Sequence, residues 1–298
     1  MIKNFDELEK IAKENPSRSV ALAMAEESDA LAAIMSAAGA DIVSPILVGN
    51  GDEIRRIAGE LGIELGDTRI VEAEGEYDSA EKAVELVKNG EADCLMKGKT
   101  ATSTIMKAAL NKEKGIRGNS LLSHISIANP PNYPKLLVIT DAAMNIAPDL
   151  DAKIGIINNA VSISRKLGVD KPKVAVIGAV EKVNPAMPAT MDAAVLSKMA
   201  QRGQIKNCLI DGPFALDNAL SKKSCEVKGI VSEVGGDADI LLLPTIEAAN
   251  VLYKSLSVLT DIPMAGIILG AAKPIILTSR ADSDRIKYLS ILAGVSLV

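Results

Sequence analysis

Short apolar runs alternate with helix-length amphipathic segments along almost the whole chain, and this alternation constrains the fold most. Residues 19–25, 42–48, 69–73 and 92–96 read as strands, with helices at 29–38, 52–61, 79–88 and 102–110. Further strands are expected at 135–140, 174–180, 208–211, 240–243 and 266–269, and helices near 152–166, 191–202 and 247–259. Continuous apolar runs suit strands covered on both faces, and their alternation with helices builds parallel sheets. The expected class is α/β: two lobes, each a three-layer αβα sandwich with mostly parallel sheets.

Two features suggest how the lobes divide. The turn-rich segment Ala128-Asn129-Pro130-Pro131-Asn132-Tyr133-Pro134 makes a plausible crossover, and Lys273-Pro274 restarts strand and helix after a complete middle block. The expectation is a discontinuous first lobe, 1–135 plus 273–298, and a second lobe, 136–272, with the active site in the cleft between them.

Composition excludes several functions. Of 298 residues, 48% are hydrophobic, enough for a sizeable core, yet there are only two Phe, four Tyr and no Trp. The core must be aliphatic, and the stacking platforms of single-stranded nucleic-acid binders are missing. A net charge of −5 also disfavours a general polyanion binder, so no nucleic-acid partner is expected. Three scattered cysteines, Cys94, Cys208 and Cys225, suggest neither a zinc site nor a disulfide framework. The charged, helix-like N-terminus does not read as a signal peptide. The apolar stretch 263–277 is interrupted by Lys273-Pro274 and too short to span a bilayer. A reduced, cytoplasmic protein without membrane contact fits these features.

The densest chemistry lies where an apolar run ends, at Ile275-Ile276-Leu277-Thr278-Ser279-Arg280-Ala281-Asp282-Ser283-Asp284. A strand-to-helix corner of this kind holds polar groups at the mouth of a cleft. Arg280 can fork onto a phosphate, Ser279 can donate a hydrogen bond, and Asp284 or Asp282 can take a proton. The same residues suit a plain helix start, with Asp282 or Ser279 as cap and Asp284 in the first turn.

A second cluster, Met96-Lys97-Gly98-Lys99-Thr100-Ala101-Thr102-Ser103-Thr104 with Lys107, leads from strand to helix through lysines, a glycine and hydroxyls. Exposed amides at the helix start would make it an anion site, though its spacing is not that of a P-loop. Other strand ends carry Asp141, Glu181 to Pro185, Asp211-Gly212-Pro213 and Glu247. His124, the single histidine, reads as a buried structural residue near Ser123 or Ser126.

Together these motifs resemble the phosphate acetyl/butyryltransferase family, especially its butyryl branch. The matching segments are Leu95-Met96-Lys97-Gly98 with its Thr-rich continuation, Glu181-Lys182-Val183-Asn184-Pro185 with Met187 to Thr190, Asp211 to Ala219, and Pro274 to Asp284. The resemblance implies a fold like the isocitrate and isopropylmalate dehydrogenases and a homo-oligomer, at least a dimer. It implies reversible transfer, acyl-CoA plus phosphate giving acyl phosphate plus CoA, with no tightly bound cofactor and no metal. Ser279 and Arg280 match the family's Ser-Arg pair, and Lys97, Gly98, Lys99, Thr100, Thr102, Lys107, Glu181, Asn184, Asp211, Gly212 and Pro213 fall on its binding segments. The acetyl branch also carries an aspartate base seven residues after the serine. That position here is Ile286, so Asp284 and then Asp282 are the nearest substitutes.

Thiolate attack within a ternary complex would draw on Arg280 to neutralise the developing oxyanion, worth ~3–4 kcal/mol per donor. Three alternatives remain: an acetyltransferase, a metal- and NAD-dependent decarboxylating dehydrogenase, and a non-catalytic CoA-binding relative. Chain-length preference stays open, because one methylene is worth only ~1–3 kcal/mol in a pocket.

Overall fold

The computed structural model describes residues 1–296 and divides the chain into two compact units. The terminal unit takes Phe5–Ser120 and the chain from Pro263 onward, and the middle unit takes Met1–Asn4 and Leu121–Ile262. Leu297 and Val298, part of the expected 273–298 tail, lie outside the described residues.

The terminal unit opens with α1 (Phe5–Glu14), which buries Phe5, Leu8 and Ala12 on one face. Strand–helix repeats follow: β1 (Arg18–Ala23), α2 (Ser28–Gly39), β2 (Val43–Gly49), α3 (Gly51–Glu60), β3 (Arg69–Glu72), α4 (Gly75–Lys88), β4 (Cys94–Lys97) and α5 (Thr102–Ala109). These strands pair in parallel in the order β3-β2-β1-β4. All four positions of β4 are buried, so its apolar run is continuous rather than alternating. Asn50 caps α3, its side-chain oxygen accepting from the Glu53 amide at 2.9 Å.

The middle unit begins with β5 (Ser123–Ala128), antiparallel to β6 (Leu137–Thr140). It continues through α6 (Leu150–Lys166), β7 (Lys173–Ile177), α7 (Pro188–Gln201), β8 (Leu209–Phe214), α8 (Leu216–Leu220), α9 (Lys222–Val227), β9 (Ile240–Leu242) and α10 (Ile246–Leu259). Its strand order is β5-β6-β9-β7-β8, with β6, β9, β7 and β8 parallel. The Pro-rich segment 128–134 therefore joins two paired strands of one unit. The units divide after Ser120 and Ile262, where sequence alone suggests 135/136 and 272/273. Met1–Asn4 belongs to this unit because the Ile2 amide donates to the Leu167 carbonyl at 2.8 Å.

The chain then completes the terminal unit with β10 (Met264–Leu269), β11 (Ile275–Ile276) and α11 (Asp284–Val295). β11 inserts between β4 and β10, parallel to the first and antiparallel to the second. α11 is buried from Lys287 through Val295 and packs against α2 and β10. A Cβ on Gly294 would lie 2.5 Å from Ile276 Cγ1, so only glycine lets this helix approach β11 so closely. The register places Ala23 beside Lys97 and Met96 beside Ile276, so β1, β4 and β11 release their loops side by side.

Candidate active site

The turn after β11 is closed by a carboxylate. Asp282 Oδ2 accepts from the Ser279 amide at 2.7 Å, and the Asp282 amide donates to the Ser279 carbonyl at 3.2 Å. Asp282 is buried, Ser279 partly exposed and Arg280 exposed. The cap of α11 is Ser283, whose hydroxyl oxygen accepts from the Ile286 amide at 3.4 Å, rather than Asp282 or Ser279. Asp284 sits in the first turn of α11, accepts from the Arg285 amide at 2.7 Å, and borders a groove of about 330 Å³ with Glu9, Ser36 and Tyr288.

Beside this turn lies Lys97, 3% exposed, its Nζ donating to the Gly98 carbonyl at 3.1 Å. Burial, reinforced by the positive charges of Arg280 and Lys287, pulls the Lys97 ammonium down to about 8, against the weaker pull of Glu27 and Asp282. Lys287 is 1% exposed and reaches the Asp282 carbonyl, Glu27 Oε1 at 3.6 Å and Asp29 Oδ2 at 3.9 Å. Glu27 in turn caps α2, accepting from the Ala30 amide at 2.9 Å. One charge cluster thus ties together the start of α2, the end of β4 and the 279–283 turn. Next to it, Thr278 Oγ1 is buried without a hydrogen-bond partner among the described residues.

The start of α5 differs from the open anion site expected from sequence. Glu76, from α4, reaches over and accepts from the Ala101 amide and, at 3.1 Å, from the Thr100 hydroxyl. Those bonds, with one from the Thr104 hydroxyl and a smaller effect of Arg280, hold the Glu76 carboxyl below the usual carboxylate range. A carboxylate therefore satisfies the donors that a phosphate was expected to meet. Gly98 is where the backbone passes closest: an added Cβ would lie 2.4 Å from the Met24 carbonyl oxygen and 2.7 Å from that of Ala23. Lys99 is exposed, Thr102 opens the helix, and Lys107 lies over the Tyr77 ring, 5.8 Å from its centre.

The remaining candidates belong to the middle unit, where each has local partners. Glu181 lies 3.6 Å from Lys228, and Asn184 shapes the entry to α7 through Thr190 and the Ala186 amide. Asp211 accepts from the Gly212 amide at 2.8 Å and the Ser232 hydroxyl at 2.5 Å. Asp211 and Gly212 also line a cleft of about 610 Å³ with Lys171, Ser197 and Cys208. Gly212 precedes Pro213 across a cis peptide bond. His124 is buried, 3.4 Å from the Ser126 hydroxyl and edge-on to Tyr253. Among the described residues no cluster of three or more His, Cys, Asp or Glu could hold a metal ion, and no helix is long and apolar enough to cross a membrane.

Residues 76–293 match the profile described as phosphate acetyl/butaryl transferase. The chain belongs to this family. It is 46% identical to phosphate butyryltransferase of Clostridium acetobutylicum over 291 residues, covering 98% of this chain and 97% of that one. It is 45% identical to phosphate acetyltransferase of Thermotoga maritima over 274 residues, covering 92% and 93%. Among solved structures, a branched-chain phosphotransacylase from Enterococcus faecalis superposes with a TM-score of 0.81 at 30% identity, over 94% of this chain and 98% of that one. The fold is accordingly that of the phosphotransacylases.

Within this family fold, the turn at Ser279–Arg280 and its neighbour Lys97 were signalled by the sequence. Lys287, Glu27 and Glu76 were not. The other charged residues of α11, Asp284 and Arg285, sit in its exposed first turn, and a lysine leading into the apolar run that follows is the one signal that could have marked Lys287. Glu27 and Glu76 resemble any acidic residue at a helix start, and only tertiary packing gives them partners.

Proposed function

We propose that this chain transfers a short acyl group, butyryl or a similar chain, reversibly between CoA and inorganic phosphate in a ternary complex. The observation that carries this reading is the convergence of the Ser279–Arg280 turn with Lys97 at adjacent strand ends, where Asp282 and Lys287 fix the turn from behind. Arg280 is exposed and unhindered for a phosphate, and Ser279 stands beside it to hydrogen-bond the thiol or the acyl phosphate. Holding both substrates in attack geometry supplies much of the remaining acceleration. The likeness to the Clostridium butyryltransferase supports a four-carbon chain, and the Thermotoga acetyltransferase at nearly equal identity supports acetyl as the second reading.

The reading also includes a homo-oligomer, at least a dimer, in the cytoplasm. Exposed Met191 and Val195 lie one turn apart on α7 with exposed Met187 at its N-cap, and Val251, Val258 and Leu259 are exposed on α10, apolar surface suited to a second copy. Three free, buried cysteines suit a reducing compartment. Acyl-CoA, acyl phosphate and phosphate are substrates, and no tightly bound cofactor or metal takes part.

The test is release of free thiol from acetyl-, propionyl-, butyryl- and isobutyryl-CoA with and without phosphate. Phosphate-dependent release peaking at four carbons is expected. A peak at two carbons moves the chain to the acetyl reading, and release without phosphate makes it a thioesterase instead.

A further inference from the structure

We propose that Lys97, acting as its neutral amine, is the base that takes the CoA thiol proton during acyl transfer, an assignment that rests on the acyltransferase reading above. Four lysines are buried among the described residues: Lys97, Lys135, Lys153 and Lys287. Three of them pair with carboxylates, Lys135 with Asp239 at 2.6 Å, Lys153 with Asp192 at 2.5 Å, and Lys287 with Glu27 at 3.6 Å. Lys97 forms no such pair among the described residues. Its hydrogen bond goes to the carbonyl of the next residue, Gly98. The charges that act on it are Arg280 and Lys287, which disfavour its ammonium, and Glu27 and Asp282, which favour it. Both acids are already committed, Glu27 to the Ala30 amide and Lys287, Asp282 to the Ser279 amide.

A buried lysine set beside other cations and without a counter-ion readily gives up its proton and becomes a nucleophile or a base. The position suits the chemistry. Lys97 ends β4, directly across from the strand that leads into Ser279 and Arg280. Thr278, the residue before Ser279, keeps its hydroxyl buried without a hydrogen-bond partner among the described residues, an independent sign that polar groups here are arranged for something other than folding. The rival carboxylates are less suited. Asp282 is used to close the turn, and Asp284 faces the groove shared with Glu9 and Tyr288.

The step balances as follows. Lys97 Nζ accepts the thiol proton as sulfur forms its bond to the acyl carbon of acyl phosphate. The bond from that carbon to the phosphate oxygen breaks, and phosphate leaves with the electron pair. The Lys97 ammonium then returns its proton to the departing phosphate. In the opposite direction neutral Lys97 takes the proton of the attacking phosphate as its oxygen bonds to the thioester carbon, and the ammonium so formed protonates the leaving thiolate as the carbon–sulfur bond breaks. Arg280 stays charged throughout and holds the phosphate.

The test compares Lys97→Ala and Lys97→Arg with the parent enzyme in the direction of thiol attack on acyl phosphate. Both Lys97 variants are expected to lose roughly 10²–10⁴-fold in kcat, with KM for acyl phosphate much less changed. Arginine keeps the charge but cannot act as a base, so its failure separates base from cation. Added primary amines should partly restore Lys97→Ala, the rate following amine basicity. In the parent enzyme, kcat should rise with pH and level off near 8, where Lys97 loses its proton. Full activity in Lys97→Arg, or absence of amine rescue in a folded Lys97→Ala, overturns the assignment. A second measurement is independent of folding variants: the pH dependence of Lys97 acetylation by acetic anhydride, read by peptide mass spectrometry on the parent protein. Reactivity turning on near 8 supports the base, and near 10.5 refutes it. A parent enzyme with no phosphate-dependent turnover overturns the acyltransferase reading and this assignment with it, whereas normal turnover with an active Lys97→Arg overturns the base alone.

Discussion

Replacing Lys97 by methionine should stabilise the protein at neutral pH. Lys97 is nearly inaccessible, and its surroundings lower the pH at which it loses its proton from 10.5 to about 8. At about 1.4 kcal/mol per pH unit, this places up to ~3 kcal/mol of cost on holding the ammonium in the native state. Methionine keeps the apolar stem and removes that cost. The sign follows from proton counting. Below about 8 Lys97 is charged in both the folded and the unfolded chain, and the cost is present in full. Between about 8 and 10.5 the folded state gives up its proton while the unfolded state keeps it, so parental stability rises with pH and the variant's advantage shrinks. Urea unfolding of both proteins at several pH values between 7 and 10 measures the difference, and all other titrating groups cancel in the comparison. For a unit of this size the advantage at pH 7 corresponds to roughly 6–10 °C in Tm. A difference that stays flat with pH, or a variant less stable at pH 7, would refute the reasoning.

Four further substitutions probe the same site. Arg280→Ala and Ser279→Ala should each lower kcat/KM by ~10²–10³-fold with Tm nearly unchanged, because Arg280 is exposed and the turn is held chiefly by the 2.7 Å bond from the Ser279 amide to Asp282, the Ser279 hydroxyl adding only a long 3.4 Å bond from the Ala281 amide. Lys287→Met removes the donor to the Asp282 carbonyl and the counter-charge to Glu27, so urea unfolding should show a loss of about 1–3 kcal/mol, together with slower turnover. Gly98→Ala forces a Cβ against two backbone carbonyls, Met24 and Ala23, and should cost ~1–3 kcal/mol by the same measurement; an unchanged midpoint would show that β1 and β4 can spread apart.

The strand–helix order was legible because buried parallel strands leave a plain signature. The runs at 19–25 and 92–96 contain the cores of β1 and β4. Ser123–Ala128 was not legible. Its sequence, SHISIA, mixes polar and apolar residues, yet all six positions are buried; the His124–Ser126 contact was readable locally, whereas the Asn159 partner of Ser123 is supplied only by the fold. The short helices α8 and α9 lack the length at which apolar periodicity can be read. In the site, the Ser279–Arg280 corner was visible because its chemistry is consecutive in the chain. The occupation of the α5 start by Glu76 was hidden, since it joins residues 24 and 25 positions apart. The coupling of Lys287 to Glu27 crosses from α11 to α2, nearly the full length of the chain, and no local pattern encodes it.

The position of β11 has a consequence for synthesis. It is made after every other described strand, yet it lies inside its sheet, between β4 and β10. While the nascent chain grows, β4 keeps one unpaired edge, and a sticky apolar strand edge is what newborn proteins must shield from neighbours. The Ser279–Arg280 corner proposed above for acyl transfer follows directly on the segment that seals the edge. On that reading, a premature stop before residue 275 would release a chain with an open seam and without the proposed site.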